Sequence, residues 1–172
     1  KTAYEVLRSL VGSEMCIRDR TEATHVTDPT SRERRPARLD DLVLMTRFAN
    51  HLGHVGVNSA PVTPQDVPGH LADWHTWAAG LKNTAKHITG AAPGAQAVRD
   101  VAEMASIAVG GEDRFRERPN VSFWALTRPP LQVDLLTVEA LIEMSRWKIP
   151  AIISSGPIMG MTAPVTIAGV VA

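Results

Sequence analysis

The chain contains little cysteine, little tyrosine and no excess of either charge. Among its 172 residues there are one Cys (Cys16) and one Tyr (Tyr4), and 18 Lys and Arg balance 18 Asp and Glu. A single cysteine excludes a disulfide scaffold. Balanced charge argues against nucleic acid as a partner, because binding to a phosphate backbone depends on massed Lys and Arg. With 44% hydrophobic residues, the chain is also too apolar for a disordered protein.

The first twenty residues differ in character from the remainder. Ser9 to Asp19 (SLVGSEMCIRD) resembles an in-frame translation of a sequencing-library adapter, and Lys1 to Glu5 resembles its outer part. Charged residues interrupt any apolar core that a signal peptide would need. We therefore expect residues 1–20 to be an adapter-like artefact and 21–172 to be the central fragment of a larger domain. That fragment has no cysteine, which excludes thiol catalysis and thiolate metal sites within it.

Short apolar stretches alternate with helical patterns along the rest of the chain. A polar hairpin or loop over Thr24 to Arg38 precedes the first helix. Four strands are then predicted about every 30 residues, each followed by a helical pattern: Val55–Val62, Lys86–Ala91, Val121–Thr127 and Pro150–Ser155. This alternation is typical of an α/β protein with a parallel sheet, either a (β/α)₈ TIM barrel or an open doubly wound sheet. About four βα units would form a partial (β/α)₈ barrel, since a complete one needs about 250 residues.

Capping residues and periodicity predict where the helices begin and which faces they bury. Asp40 is the predicted N-cap of the first helix and Gly53 its C-cap, Thr63 followed by Pro64 starts the second, and Asp134 starts a later one. The second helix has an apolar stripe at Val67, Leu71, Trp74, Ala78 and Leu81, which leaves Trp77 partly exposed. A helix over Ala95–Val109 should stop at Gly110-Gly111, and a charged turn should follow at Glu112–Arg118. In the helix after Asp134, the predicted inward face is Val138, Leu141, Ile142 and Ser145.

The last 23 residues, Pro150 to Ala172, contain no charged side chain. Such a stretch is long enough to cross a membrane. However, Pro157, Pro164 and the glycines between them divide it into a strand, a loop and a helix opening at Thr162. A buried parallel strand explains the apolar run, so we expect no membrane partner.

Two patterns suggest chemistry but have simpler readings. The six histidines include no pair four residues apart on one helix, as a helical zinc site requires, so we expect capping or surface roles and no metal. The turn Thr89 to Ala95 follows a strand and opens a helix, as a phosphate loop does. It lacks the Lys of that motif, and Pro93 removes one backbone donor, which favours an ordinary βα turn.

Position at strand ends nominates a small set of binding residues. Active sites of α/β proteins lie at the carboxyl ends of parallel strands. There the glycines and methionines of the loop after Ser155 offer close backbone approach and an adaptable apolar surface. Trp124 would attract an alkylammonium group through a cation–π contact, although core packing explains it equally well. The predicted substrate-binding residues are Asn58, Trp124, Ser155, Gly156 and Met159.

Several motifs resemble the trimethylamine methyltransferase family. The segment SSGPIMGMTAPVTIAG (Ser154 to Gly169) is similar to the signature P-x-x-G-x-T-[AG]-P-V-T-x-A-G of that family. Further matches lie, in order, at Asp28-Pro29 with Arg34–Ala37, at Pro64–Pro68, at Gly110–Glu112 with Arg116–Pro119, and at Val121–Phe123. The resemblance covers nearly all of the chain after residue 23 and corresponds to a middle section of a longer protein.

The resemblance implies a (β/α)₈ barrel that transfers a methyl group from trimethylamine, or from a quaternary amine such as glycine betaine, to the Co(I) of a corrinoid (cobalamin) carried by a partner protein. It assigns no catalytic residue here and no cofactor bound directly to the fragment. The family's pyrrolysine position lies beyond Ala172, so the branch and the substrate stay open. We expect the full-length enzyme to be a cytoplasmic homo-oligomer and the fragment to be inactive.

Two further hypotheses remain. The same barrel could bind a quaternary ammonium group without catalysis. Alternatively, an unrelated barrel enzyme could use the turn at Gly90 to Ala95 for a phosphate group.

Overall fold

A computed structural model describes residues 23–28, 30–127, 132–156, 159–161 and 163–168. The adapter-like residues 1–20 and the end of the predicted last helix, 169–172, lie outside this part. The chain divides into two units, Lys1–Thr89 and Gly90–Ala172.

Strands and helices alternate as the sequence predicts. The strands are β1 (His25–Thr27), β2 (Arg34–Pro36), β3 (Val57–Ser59), β4 (His87–Ala91), β5 (Val121–Thr127) and β6 (Ala151–Ser155). The helices are α1 (Leu39–His51), α2 (Ala72–Asn83), α3 (Ala95–Val109), α4 (Glu112–Glu117) and α5 (Leu135–Trp147), and a 3₁₀ turn (Gly69–Leu71) precedes α2.

The sheet topology confirms an α/β fold with parallel strands. β1 and β2 form a separate antiparallel hairpin, and β3 to β6 form a four-stranded sheet in sequence order. β3 pairs with β4 and β5 pairs with β6, both in parallel. Within the described ranges these strands form an open sheet, and no closed barrel is seen.

The predicted hairpin is present at the start of the first unit. Asp28 shapes its turn because its carboxylate accepts hydrogen bonds from the backbone N–H groups of Thr30 and Ser31, at 2.8 and 2.9 Å. Those donors hold the pKa of Asp28 below its ordinary value. Arg35 of β2 then forms a two-bond ion pair with Asp41 of α1, at 2.7 and 2.8 Å, so the hairpin is fixed to the first helix.

The predicted N-cap of α1, Asp40, is wrong, and the carboxylate of the next residue, Asp41, caps the helix instead. The helix begins at Leu39 with Arg38 as N-cap, because Asp41 accepts the Arg38 N–H at 2.9 Å. Asp66, distant in sequence, accepts the Leu39 N–H at 2.9 Å. The ion pair with Arg35 is the largest cause that lowers the pKa of Asp41. One local carboxylate, Asp41, and one distant in sequence, Asp66, therefore cap this helix.

The predicted start of α2 at Thr63 is also wrong. Thr63 donates its N–H to the carbonyl of Ala23 at 2.9 Å, and Gln65 donates to Ala37 at 2.7 Å. These bonds hold residues 63–65 in an extended conformation beside Ala23 and Ala37. An extended segment cannot be part of a helix. The helix begins only at Ala72.

The predicted burial of the two tryptophans in α2 is the reverse of the observed one. Trp77 is 5% exposed and Trp74 is 36% exposed, because the face that α2 buries contains Ala72, Trp77, Ala79 and Gly80. A Cβ built at Gly80 would stand 3.3 Å from Cδ1 of Ile88 in β4. The close approach of α2 to the sheet, and not the apolar stripe, selects the buried face.

In the second unit, the predicted bounds of α3 and β5 are confirmed. Gly110 ends α3 in the left-handed conformation, with φ of 88°, where glycine is favoured. The predicted charged turn is α4, which buries Phe115 completely. Phe115 contacts the ring of Trp147 edge to face, and the Arg116 guanidinium lies 4.5 Å from the centre of that ring.

The N-cap of α5 is confirmed, but its predicted inward face is wrong. Asp134 accepts the Thr137 N–H at 2.9 Å. The helix buries Ala140, Glu143 and Met144, while Val138, Ile142 and Ser145 are exposed.

A charged cluster explains which face of α5 is buried. Glu143, itself buried, pairs with Arg99 of α3 at 3.2 Å and with Arg146 at 3.1 Å. Its other oxygen accepts the Trp147 indole N–H at 3.1 Å. A buried carboxylate requires such partners, so this cluster fixes how α5 packs against α3.

The uncharged C-terminal stretch contains the parallel strand β6, as predicted, but the predicted burial of that strand is wrong, because Ile153 is 66% exposed. Of the predicted last helix, only Ile167 and Ala168 are described as helical. Within the described residues, every helix is too short or too polar to cross a lipid bilayer.

Candidate functional site

The carboxyl ends of β5 and β6 place hydroxyl groups side by side. The register pairs Thr127 with Ser155, and the Ser155 hydroxyl donates to the Thr127 carbonyl at 3.4 Å. Ser155 and the following Gly156 are both exposed. Two of the predicted site residues therefore lie where a parallel sheet presents ligand-binding groups. Thr127 belongs beside them, although strand-end position alone did not nominate it.

The loop after β6 presents methionine side chains at its surface. Met159 forms an isolated bridge with Ala163, and the Gly160 N–H donates to the Ala163 carbonyl at 2.9 Å. Gly160 has φ of +80°, a conformation that non-glycine residues seldom adopt. The tight turn leaves Met159 53% exposed and Met161 78% exposed. The neighbouring Pro157, Ile158 and Thr162 lie outside the described residues.

Trp124 lies within β5, three residues before its end. It is half-buried and pairs with Ile152 of β6, whereas the preceding Phe123 is completely buried. Because side chains alternate along a strand, Trp124 and Phe123 point to opposite faces of the sheet. Trp124 is partly accessible, as an aromatic residue that contacts a cationic ligand must be.

Asn58 lies on a different face from the one expected of a ligand contact. It is 5% exposed and pairs with Ile88, and Ile88 packs against Gly80 of α2. Paired residues of parallel strands share a face, so Asn58 lies on the side of β3 and β4 that α2 covers. Its role in a binding site stays a prediction.

The opposite face of β3 and β4 contains polar residues that the sequence did not nominate. Ser59 pairs with Thr89 and Val57 pairs with His87. Burial lowers the pKa of His87 below its ordinary value, so its ring is neutral near pH 7. The sequence did contain a signal for this face: His87 and Thr89 are two residues apart in a predicted strand, so their side chains share one side of it.

Four of the other histidines lie at the surface, and the glycine turn leads into a helix. His25, His51, His54 and His70 are exposed, and the His51 ring contacts the Arg47 carbonyl at 2.7 Å. Across the described part of the chain, no group of three or more His, Cys, Asp or Glu side chains is placed to hold a metal ion. Gly94, with φ of 92°, turns the chain into α3.

Comparison with known proteins gives a match over nearly the whole chain. The family model described as trimethylamine methyltransferase matches residues 8–172. This range begins inside the adapter-like segment, whose origin the comparison does not test.

Individual relatives are much longer than this chain, so each alignment covers only a part of the relative. Trimethylamine methyltransferase MttB of Desulfitobacterium hafniense is 32% identical over 86% of this chain, which spans 30% of that relative. A glycine betaine methyltransferase of the same species is 30% identical over 62% of this chain and 22% of its own length. The corresponding MttB of Methanosarcina barkeri is 27% identical over 75% of this chain and 26% of its own length. The chain therefore spans less than a third of each of these proteins.

Proposed function

Because this chain belongs to the trimethylamine methyltransferase family, we propose that it forms part of a methyltransferase acting on a methylated amine. The match over residues 8–172 carries the proposal. Relatives named for trimethylamine and for glycine betaine both match, which supports the amine class and leaves the individual substrate open.

We also propose that these βα units belong to a (β/α)₈ barrel in the whole protein. The parallel pairs β3–β4 and β5–β6, with a helix after each of β3, β4 and β5, support this arrangement. In such a barrel the ends of the strands, with Ser155 and Gly156, would surround the substrate.

The proposed methyl acceptor is the Co(I) of a corrinoid carried by a partner protein. In this reaction the bond between nitrogen and the methyl carbon breaks, and its electron pair stays on nitrogen. Co(I) supplies the electron pair of the new bond to carbon and so becomes methyl-Co(III). A quaternary amine leaves as a neutral tertiary amine, whereas trimethylamine must first become cationic. The contribution of the protein is to hold nitrogen, methyl carbon and cobalt in line.

The proposal is tested by methyl transfer in the full-length protein. Mixed with a reduced corrinoid protein and an amine, the full-length enzyme should convert Co(I) to methyl-Co(III), followed by absorbance. Trimethylamine and glycine betaine are the two substrates to compare, and the 172-residue chain alone should give no turnover. If both amines bind but neither changes the spectrum, the protein is a non-catalytic ammonium-binding barrel. Full turnover by the 172-residue chain would contradict the expected need for the rest of the protein.

A further inference from the structure

Three polar residues lie together on one face of β3 and β4. His87 and Thr89 are two residues apart on β4, so both point away from Ile88, which packs on α2. The register places Ser59 beside Thr89. We name Ser59, His87 and Thr89 the β3–β4 polar face. It lies on the side of these strands that faces away from α2.

Thr89 carries a buried hydroxyl with an unmet hydrogen-bonding requirement. The residue is 4% exposed, and its Oγ1 has no hydrogen-bond partner within the described ranges of the chain. Burial removes the hydrogen bonds that a hydroxyl makes to water, and without a replacement this opposes folding. Buried polar groups are nearly always paired in native proteins. An unpaired one beside other polar side chains therefore indicates a missing hydrogen-bonding partner.

The neighbours of Thr89 indicate the chemistry of that partner. Ser59 is also buried, and burial lowers the pKa of His87, so the ring carries no charge near neutral pH. The unpaired Thr89 hydroxyl thus lies beside hydroxyl and imidazole groups that carry no positive charge. The Thr89 hydroxyl can donate to a carboxylate or ether oxygen, and its surroundings do not repel a cationic nitrogen in the same ligand.

We propose that Thr89, flanked by Ser59 and His87, binds the oxygen-bearing end of the amine substrate and so selects methylated amines that carry a carboxylate. Trimethylamine, which has no oxygen, would leave the Thr89 hydroxyl unpaired. This inference rests on the proposed function, because it takes a methylated amine as the substrate.

Two quaternary amines and two variants of the full-length protein test the inference by titration calorimetry. Thr89→Val removes the hydroxyl and nearly preserves the side-chain shape. We expect it to weaken glycine betaine binding about tenfold, the loss typical of one hydrogen bond to a charged group. Binding of tetramethylammonium, which has no oxygen, should change less than about twofold. Thr89→Ser keeps the hydroxyl and should retain glycine betaine binding.

Thermal unfolding without amine separates this role from a structural one. Thr89→Val should unfold at the same temperature as the native protein or a higher one, because it removes an unpaired buried hydroxyl. If that variant does not fold, Thr89→Ala gives the same comparison. Unchanged glycine betaine binding in the variant, or equal losses for both amines, would overturn the inference. If the native protein binds tetramethylammonium but not glycine betaine, this inference is overturned and the proposed function stands. If the native protein binds no amine, the proposed function is overturned as well.

Discussion

Among single residues, Trp124 has the side chain whose chemistry best suits a quaternary nitrogen. It is half-buried in β5 and so remains partly accessible. Trp124→Leu keeps apolar bulk and removes the π face. We expect tetramethylammonium to bind the full-length variant about fivefold more weakly, since a cation–π contact contributes about 1 kcal/mol. Fluorescence titration measures the affinity.

Trp74 provides the matched control for Trp124. It lies on α2 and is more exposed, so Trp74→Leu should leave the affinity unchanged. Equal affinity of Trp124→Leu and the native protein would show that Trp124 is a packing residue only.

The two tryptophans of α2 show why residue burial resisted prediction. The stripe through Trp74 has the correct helical period, yet α2 buries the face containing Trp77. Periodicity reports which residues share a face. Which face is covered depends on the partner surface, here the close contact of Gly80 with Ile88. That information lies in the neighbouring strand and not in the periodicity of the helix itself.

At the scale of helices and strands, Glu143 is the main polar connection between α5 and α3. Its carboxylate is 7% exposed and pairs with Arg99 at 3.2 Å. Glu143→Ala should lower the free energy of unfolding of the full-length protein by about 2 kcal/mol, because charge-assisted hydrogen bonds are lost and two arginines lose their partner. Urea unfolding monitored by circular dichroism measures the change.

The same helix offers a control for the Glu143 substitution. Glu139 lies one turn earlier and is exposed, so Glu139→Ala should change the free energy of unfolding by less than about 0.5 kcal/mol. If both variants have the same urea midpoint of unfolding as the native protein, the cluster around Glu143 contributes nothing to stability.

Element type was more predictable than element ends. β5 and α3 begin and end where the sequence indicates, since an apolar β-rich run and a glycine stop are local signals. The starts of α1 and α2 were not predictable in this way. Asp66 supplies one of the capping acceptors for α1 from 27 residues away, and hydrogen bonds to Ala23 and Ala37 keep Thr63 and Gln65 outside the helix that was predicted to include them.

For the whole molecule, pH dependence provides a test that does not require a substrate. Burial lowers the pKa of His87 from its ordinary value near 6.5, so the unfolded chain takes up a proton at higher pH than the folded one. The stability that this residue contributes is complete above about pH 6.5 and is lost as the pH falls below it. The free energy of unfolding of the full-length protein should therefore decrease between pH 7 and about pH 5.

His87→Gln should reduce this pH dependence, and His54→Gln, which changes an exposed histidine, should leave it as in the native protein. Urea unfolding at a series of pH values compares the three. If the free energy of unfolding of His87→Gln decreases between pH 7 and about pH 5 as much as that of the native protein, the lowered pKa of His87 is not the cause of this decrease.

By itself, the sequence determined the α/β class, the parallel order of strands and the family, because apolar periodicity, turn residues and motif spacing are local properties of the chain. It also nominated Ser155, Gly156 and Met159, which lie at the end of β6 and in the loop after it. Only the tertiary structure decided which helix faces are buried, which carboxylates cap α1, and that Asn58 lies under α2 while Thr89 faces away from it. Some of these outcomes depend on contacts between residues far apart in sequence, such as Asp66 with Leu39, and others depend on which face of an element meets its neighbour. No local pattern encodes the free energies of either.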